Sequence, residues 1–267
     1  MIRHALAVIV AFWATASAAD EMRLAVTTSF ESSGLADVLL PAIKDDLDLD
    51  VQLLVVGTGQ ALRLGEAGDV DAVLVHSQVA EEAFVAAGHG THRREIMYND
   101  FVLIGPTTDA ASIADAASAA DALQRIANAQ PLFVSRGDDS GTHKAELAVW
   151  AQAGFDVGAF GNWYRSVGAG MGQALNTAAA MDAYVLSDRA SWLNFANKAG
   201  LALLYSGDPA LFNQYAYLPV DPNKNDNVRN DLAMALESWL TSPRAEALIN
   251  GYSINGETLF VFNAKPG

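Results

Sequence analysis

The chain has no cysteine, few basic residues and only one long apolar run. Without cysteine there is no disulfide framework, no zinc-thiolate site and no thiol nucleophile. A thioether-linked lipid anchor is excluded on the same ground. Lys and Arg number 16 against 31 Asp and Glu, a formal net charge of −15. That balance excludes a nucleic-acid binder, which needs a basic footprint. It does not exclude an anion ligand. Surface carboxylates are largely screened beyond about 8 Å at physiological salt, whereas a buried site is governed by its own donors.

The one apolar run stands at the start. Arg3 and His4 precede Ala5 to Ala14, and small residues follow through Ala19. A short basic start, an apolar stretch and an Ala-x-Ala-like end describe a cleavable secretory signal over 1–19, with Ala16-Ser17-Ala18 as cleavage signature. The run is too short to span a bilayer. The expected product is a free periplasmic protein. Its hydrophobic fraction of 51% with 18% charged residues is that of a globular chain.

Strand-like and helix-like segments then alternate. Leu24–Thr27, Val51–Val56 and Ala72–His76 read as strands, separated by helices at Gly34–Leu47 and Gln60–Glu66 and followed by Ala80–Ala87. This βαβαβα pattern predicts a largely parallel sheet with helices on its faces. A long strand, Ile96–Ile104, ends at Gly105-Pro106. Beyond it come a helix over Ile113–Ala127, the strand Leu132–Val134, helices at Lys144–Ala153 and Gly172–Met181, and the strand Tyr184–Leu186. Tyr215–Val220 reads as a further strand, with helices at Val228–Leu240 and after Pro243. The length suits two lobes better than one open sheet. Ile96–Ile104 and Tyr215–Val220 are read as two crossover strands joining them. Lobe 1 is then discontinuous, 20–102 plus 215–267, and lobe 2 is 103–214. A ligand would sit between them, at the carboxyl ends of the strands.

Three strand-to-helix junctions are crowded with hydroxyls and glycines. They are Thr27-Thr28-Ser29-Phe30-Glu31-Ser32-Ser33-Gly34, Val56-Gly57-Thr58-Gly59-Gln60, and Ser135-Arg136-Gly137-Asp138-Asp139-Ser140-Gly141-Thr142. A helix N-terminus offers unpaired N–H donors, hydroxyls add neutral donors, and glycine lets the backbone approach a ligand. Taken singly, each junction is accounted for by capping and turn formation, and that reading holds for Ser33 and Thr177. Three in one chain, one of them carrying an arginine, point to an oxyanion site. Arg136 supplies a planar, permanently charged donor array; a salt bridge to Asp138 or Asp139 is its alternative role and is set aside.

The runs Val55-Val56-Gly57-Thr58-Gly59-Gln60-Ala61-Leu62, Asp71–His76, Met97–Pro106, Ser135–His143, Trp163-Tyr164, Gly168–Gly172 and Ala183–Arg189 resemble the tungstate-binding proteins of bacterial ABC importers. The likeness extends from about Thr27 to Asn263. It implies a type II periplasmic-binding fold, an α/β architecture of two lobes. It also implies oxyanion contacts from Thr28, Ser29, Thr58, Ser135, Arg136, Ser140, Gly141 and Thr142. Where the family usually has a further Thr, this chain has Phe30, which leaves only a backbone N–H there; at Ser187 the hydroxyl is kept. The implied partners are tungstate or molybdate and the permease subunits of an importer, with the chain as a monomer and without metal or cofactor.

A donor-only cage favours full dianions such as tungstate, molybdate and sulfate over hydrogenphosphate, whose O–H needs an acceptor. Tungstate and molybdate are close in size, so the preference for tungstate rests on the resemblance. Asp138 and Asp139 are expected to face the loop's own N–H groups or solvent. A ligand-presenting sensor subunit would have the same features. A serine hydrolase built on Ser140 and His143 lacks the Gly-x-Ser-x-Gly turn and the spacing of a triad. His89 and His92 lack a third metal ligand.

Overall fold

The computed structural model describes residues 20–265; the expected leader over 1–19 lies outside the described residues. The chain begins with β1 (Asp20–Thr27), the short α1 (Thr28–Ser32), α2 (Ala36–Leu47), β2 (Leu49–Val56), α3 (Thr58–Ala67), β3 (Ala72–Val75) and α4 (Gln78–Ala86). The long β4 (Arg94–Pro106) leads to α5 (Ala119–Ala129), β5 (Phe133–Ser135), α6 (Gly141–Gln152), β6 (Tyr164–Ser166), α7 (Met171–Met181), β7 (Tyr184–Asp188) and α8 (Arg189–Asn194). It closes with β8 (Leu201–Tyr205), β9 (Phe212–Pro219), α9 (Asn230–Leu240), α10 (Pro243–Gly251) and the two-residue strands β10 (Ser253–Ile254), β11 (Glu257–Thr258) and β12 (Val261–Phe262). Among the described residues no helix is long and apolar enough to cross a membrane.

The main sheet runs β2-β1-β3-β9-β4-β7-β5-β6. Two blocks of parallel strands, β2-β1-β3 and β7-β5-β6, are separated by the antiparallel β9 and β4. The sheet is therefore mixed, where the sequence predicts it largely parallel. Apolar runs report burial on both faces and carry no information on strand direction. β4 serves both blocks: its start, from Arg94 to Asp100, pairs with β9, and its end, from Phe101 to Pro106, pairs with β7 and β8.

Side-chain alternation along the strands feeds a core on each face. Leu24, Val26, Leu74, Tyr215 and Tyr217 point to the side of α2 and α9, meeting Leu39, Ile43, Leu236 and Trp239. Their neighbours Ala25, Val73, Val75, Ala216 and Leu218 point the other way, onto Ala61, Leu62 and Phe84 of α3 and α4. The other block repeats the arrangement. Phe101, Leu103, Phe133, Tyr184 and Leu186 face α5 and α6, while Val102, Ile104, Val134 and Val185 face α7. Each block is thus a strand layer covered on both faces, and every parallel strand ends at the same edge as its block neighbours.

Local chemistry explains several departures from the expected boundaries. The predicted helix over Ile113–Ala127 is split into a short 3-10 turn, Ile113–Asp115, and α5, because Ser118 is extended and caps the helix by accepting from Asp121 N. α1 and α8 are too short for periodicity to reveal; each is announced only by its cap, Thr27 and Asp188. Thr177 donates to the Gln173 carbonyl within α7 and Ser33 to the Phe30 carbonyl, so both hydroxyls serve the backbone.

Candidate functional site

Four strands, three from one parallel block and one from the other, deliver their carboxyl ends to one place. β1 ends in Thr27, which accepts from Phe30 N and starts α1 with Thr28 and Ser29 in its first turn. β2 ends at Val56, and Gly57 caps α3 without a side chain, leaving the first N–H groups of that helix open to the front. β3 ends just before His76. β5 ends in Ser135, and the loop from Arg136 turns into α6, capped by Ser140 through His143 N. Gly137 permits that loop: its φ is +61°, and a β-carbon there would lie 1.6 Å from Ser166 Oγ.

These ends enclose a recess of about 10 Å³, lined by Thr27, Thr28, Ser29, Gly57, Thr58, His76, Arg136, Ser140, Gly141 and Thr142. The recess is of the size of a single water. It opens into a cleft of about 730 Å³, and Thr28, Ser29, Gly57, Arg136 and Ser140 line both. The structure therefore brings together Thr28, Ser29, Thr58, Arg136, Ser140, Gly141 and Thr142. Ser135 lines neither space; it is fully buried in β5, where its carbonyl accepts from Val167 N. Phe30 N is held by the Thr27 cap, so the open donor expected there is engaged, and the Phe30 ring packs in the core.

The charges of the site are few. Arg136 is 4% exposed and pairs with Asp138 at 2.5 Å, with Nη1 3.3 Å from Thr142 Oγ1. The set-aside ion pair is thus present: the tight turn at Gly137 brings the carboxylate back onto the guanidinium. The other Asp138 oxygen accepts from Ser140 N at 3.2 Å. Burial pushes the Asp138 carboxyl up, but the Ser140 bonds and the Arg136 charge outweigh it and hold the group below its usual range. Asp139 points to solvent, 3.6 Å from Lys144. Thr58 Oγ1 and Arg136 Nε are among the buried polar atoms that make no hydrogen bond with the described residues, as are Ser135 Oγ and Ser191 Oγ. The edge is rich in donors; each Asp138 oxygen accepts one bond from its own loop, while Asp188, fully buried and within reach of the Arg136 charge, keeps Oδ2 without a partner among the described residues.

A scan against family models matches the PBP superfamily domain over residues 14–244. The chain belongs to the PBP superfamily. Among curated relatives, the tungstate-binding protein TupA of Peptoclostridium acidaminophilum is 44% identical over 90% of this chain and 85% of its own. The tungstate-binding protein TupA of Desulfovibrio alaskensis has a solved structure that superposes with a TM-score of 0.84 at 40% identity, covering 92% of this chain and all of the other. A structure described as the tungstate ABC transporter from Geobacter sulfurreducens gives 0.81 at 45% identity, over 88% of this chain and 100% of that one.

Several residues around this recess lie outside the three junctions. His76 is 9% exposed, with Nε2 3.0 Å from Ser29 Oγ and its ring 4.8 Å from that of Tyr215. Burial, and then the Arg136 charge, lower its pKa to about 4, so the ring is neutral. Arg63 on α3, Gly170 to Gln173 at the start of α7, and Ser191 line the wider cleft, together with Gln60 of the second junction. Asp71–His76 and Gly168–Gly172 stand within the family-like runs, which was the available signal. Ser140 Oγ accepts from the His143 amide, and the His143 ring from Asp139 N, so these two side chains do not pair with each other. His92 is taken up by Glu237 at 2.7 Å.

Proposed function

We propose that the protein captures tungstate, with molybdate as its near equivalent, and delivers it to an ABC importer. The carrying observation is convergence: hydroxyls, helix-start amides and one buried arginine reach a single recess from separate strand ends, with Thr58 Oγ1 and Arg136 Nε lacking acceptors among the described residues. Thr28, Ser29, Thr58, Arg136, Ser140, Gly141 and Thr142 hold the anion where the water-sized recess opens into the cleft, and Ser135 supports the loop from beneath. A helix start and a buried guanidinium favour negative charge locally, whatever the overall sign. Arg136 and Ser140 each take one bond from the Asp138 carboxylate, which ties that carboxylate to its own loop. The family of tungstate-binding relatives supports the same ligand.

In this reading 20–102 with 215–267 forms one lobe, 103–214 the other, and β4 and β9 pass between them. Anion contacts from both lobes shift the population toward a closed form that permease subunits recognise. The leader over 1–19 places the chain in the periplasm, where it acts as a monomer, without cofactor and without catalysis. A thermal-shift panel of tungstate, molybdate, sulfate and phosphate tests the ligand, because a bound anion raises the melting temperature by mass action. Arg136→Gln is expected to weaken tungstate at least about tenfold, the scale of a lost charged hydrogen bond. Wild-type affinity in that variant, measured by calorimetry, overturns the assignment.

A further inference from the structure

We propose that His76 and Tyr215 set the polarity of the Ser29 hydroxyl, so that it donates to a bound oxyanion and cannot accept a proton from one. The pair is thereby a specificity determinant, separating a full dianion from hydrogenphosphate. The inference rests on the anion-binding reading above and assigns it residues beyond the loops.

Ser29 Oγ is buried among three polar neighbours: Thr27 Oγ1 at 3.0 Å, His76 Nε2 at 3.0 Å and Tyr215 Oη at 3.3 Å. A hydroxyl has one proton and two lone pairs, so at most two neighbours donate to it while it donates once. Tyr215 is fully buried; its hydroxyl lies 3.3 Å from Ser29 Oγ, and its other polar neighbours, Thr27 and Asn213, are placed as donors to it, which leaves Ser29 to accept its proton. A buried O–H is costly to leave unpaired, which directs the Tyr215 proton to Ser29.

His76 decides the second lone pair. Its Nδ1 is buried and makes no hydrogen bond of normal geometry among the described residues, the Asn213 side chain beside the ring giving only a weak contact, whereas Nε2 faces Ser29 at 3.0 Å. A buried N–H without an acceptor is rarer than an under-satisfied acceptor. The neutral ring therefore carries its proton on Nε2 and donates it to Ser29. With both lone pairs filled, the Ser29 proton has two destinations, Thr27 Oγ1 or an oxygen in the recess. Thr27 Oγ1 already accepts from Phe30 N, and a doubly charged oxyanion is the stronger acceptor.

Ser29 is in this way a donor only. Hydrogenphosphate finds no acceptor for its O–H at Ser29 and has to turn that O–H to another group, at the cost of one contact. Tungstate has no such proton and meets no such conflict.

Two measurements test this. Nitrogen NMR of histidine-labelled protein near neutral pH is expected to show His76 protonated at Nε2 and bare at Nδ1; the reverse tautomer overturns the proposal without reference to any ligand. Titration of wild type and Tyr215→Phe with tungstate and with inorganic phosphate supplies the second. Tyr215→Phe keeps the ring in the core and frees a lone pair on Ser29, so the tungstate-to-phosphate affinity ratio is expected to fall at least tenfold, mainly through tighter phosphate. An unchanged ratio with tungstate still bound overturns the proposal. Absence of tungstate binding by the wild type instead removes the anion reading, leaving the tautomer to decide the polarity of Ser29.

Discussion

Gly141 faces the imidazole of His76 so closely that a β-carbon on it would lie 2.4 Å from Cε1 and 2.8 Å from Nδ1. Real β-carbons do not approach a ring to that distance. The first residue of α6 is thus matched to the residue after β3, and the two belong to segments far apart in the chain. The contact places the amide end of α6 against the wall of the recess.

Gly141→Ala must therefore push the ring away from Ser29 or the helix start out of the recess. Either shift costs about 1–3 kcal/mol, the usual range for overpacking a filled site. Tungstate affinity is expected to fall more than tenfold, with a lowered melting temperature in the absence of ligand. A variant that melts and binds as the wild type does would show that the recess is slack, and the donor geometry argued here would lose its basis.

The βαβ order, the long strand before Gly105-Pro106 and the hydroxyl-rich junctions are all legible in the sequence, because hydrophobic period and cap chemistry are local. The helix starts are less legible: periodicity begins the two site helices at Gln60 and Lys144, whereas Gly57 and Ser140 cap them at Thr58 and Gly141. The partners of Ser29 are less legible still. His76 and Tyr215 reach it across 47 and 186 residues of chain, and no local pattern marks such a meeting. The direction of β9 is hidden for the same reason: its alternation reads alike in a parallel and an antiparallel pair. Arg136 was legible as a buried charge, but its pairing with Asp138 required knowing that Gly137 takes a left-handed turn. The family-like runs reached further than local physics, and they included His76 without giving it a role.

Asp138 holds Arg136 in the protein without ligand and shares it once an anion arrives. Asp138→Asn removes the countercharge from a guanidinium that is 4% exposed, an arrangement that destabilises whenever one partner is lost. The ligand-free protein is expected to lose about 2 kcal/mol, the worth of a hydrogen bond between charged groups. The incoming dianion then replaces the missing charge, so tungstate is expected to bind several-fold tighter and to raise the melting temperature by more than in the wild type. Thermal melts with and without tungstate check both signs. A variant of unchanged stability and weaker binding would contradict the ion pair's part.

Glu146 lies one turn beyond the anion loop on α6, 2% exposed, and accepts from Tyr164 Oη at 2.7 Å and Trp150 Nε1 at 3.2 Å. Burial raises its pKa from 4.5 to about 7, against the opposing effect of those bonds. A group raised on folding contributes fully below its unfolded pKa and loses that contribution as pH rises through the folded value. The window therefore runs from about 4.5 to about 7, and at about 1.4 kcal/mol per unit it amounts to roughly 3 kcal/mol. His76 acts in the opposite sense, since its lowered pKa weakens the fold as pH falls from 6.5 toward about 4. The two slopes offset each other in the wild type between about pH 4.5 and 6.5, so its own pH profile hides both. Glu146→Gln keeps an acceptor for Tyr164 and Trp150 but does not titrate, which leaves the His76 slope uncovered. Relative to wild type, the variant is expected to gain stability from pH 5 to pH 8, by an amount approaching that 3 kcal/mol. Denaturant unfolding of both proteins across this range measures the difference. Two parallel curves would mean that Glu146 is ionised throughout and that its burial is relieved in solution.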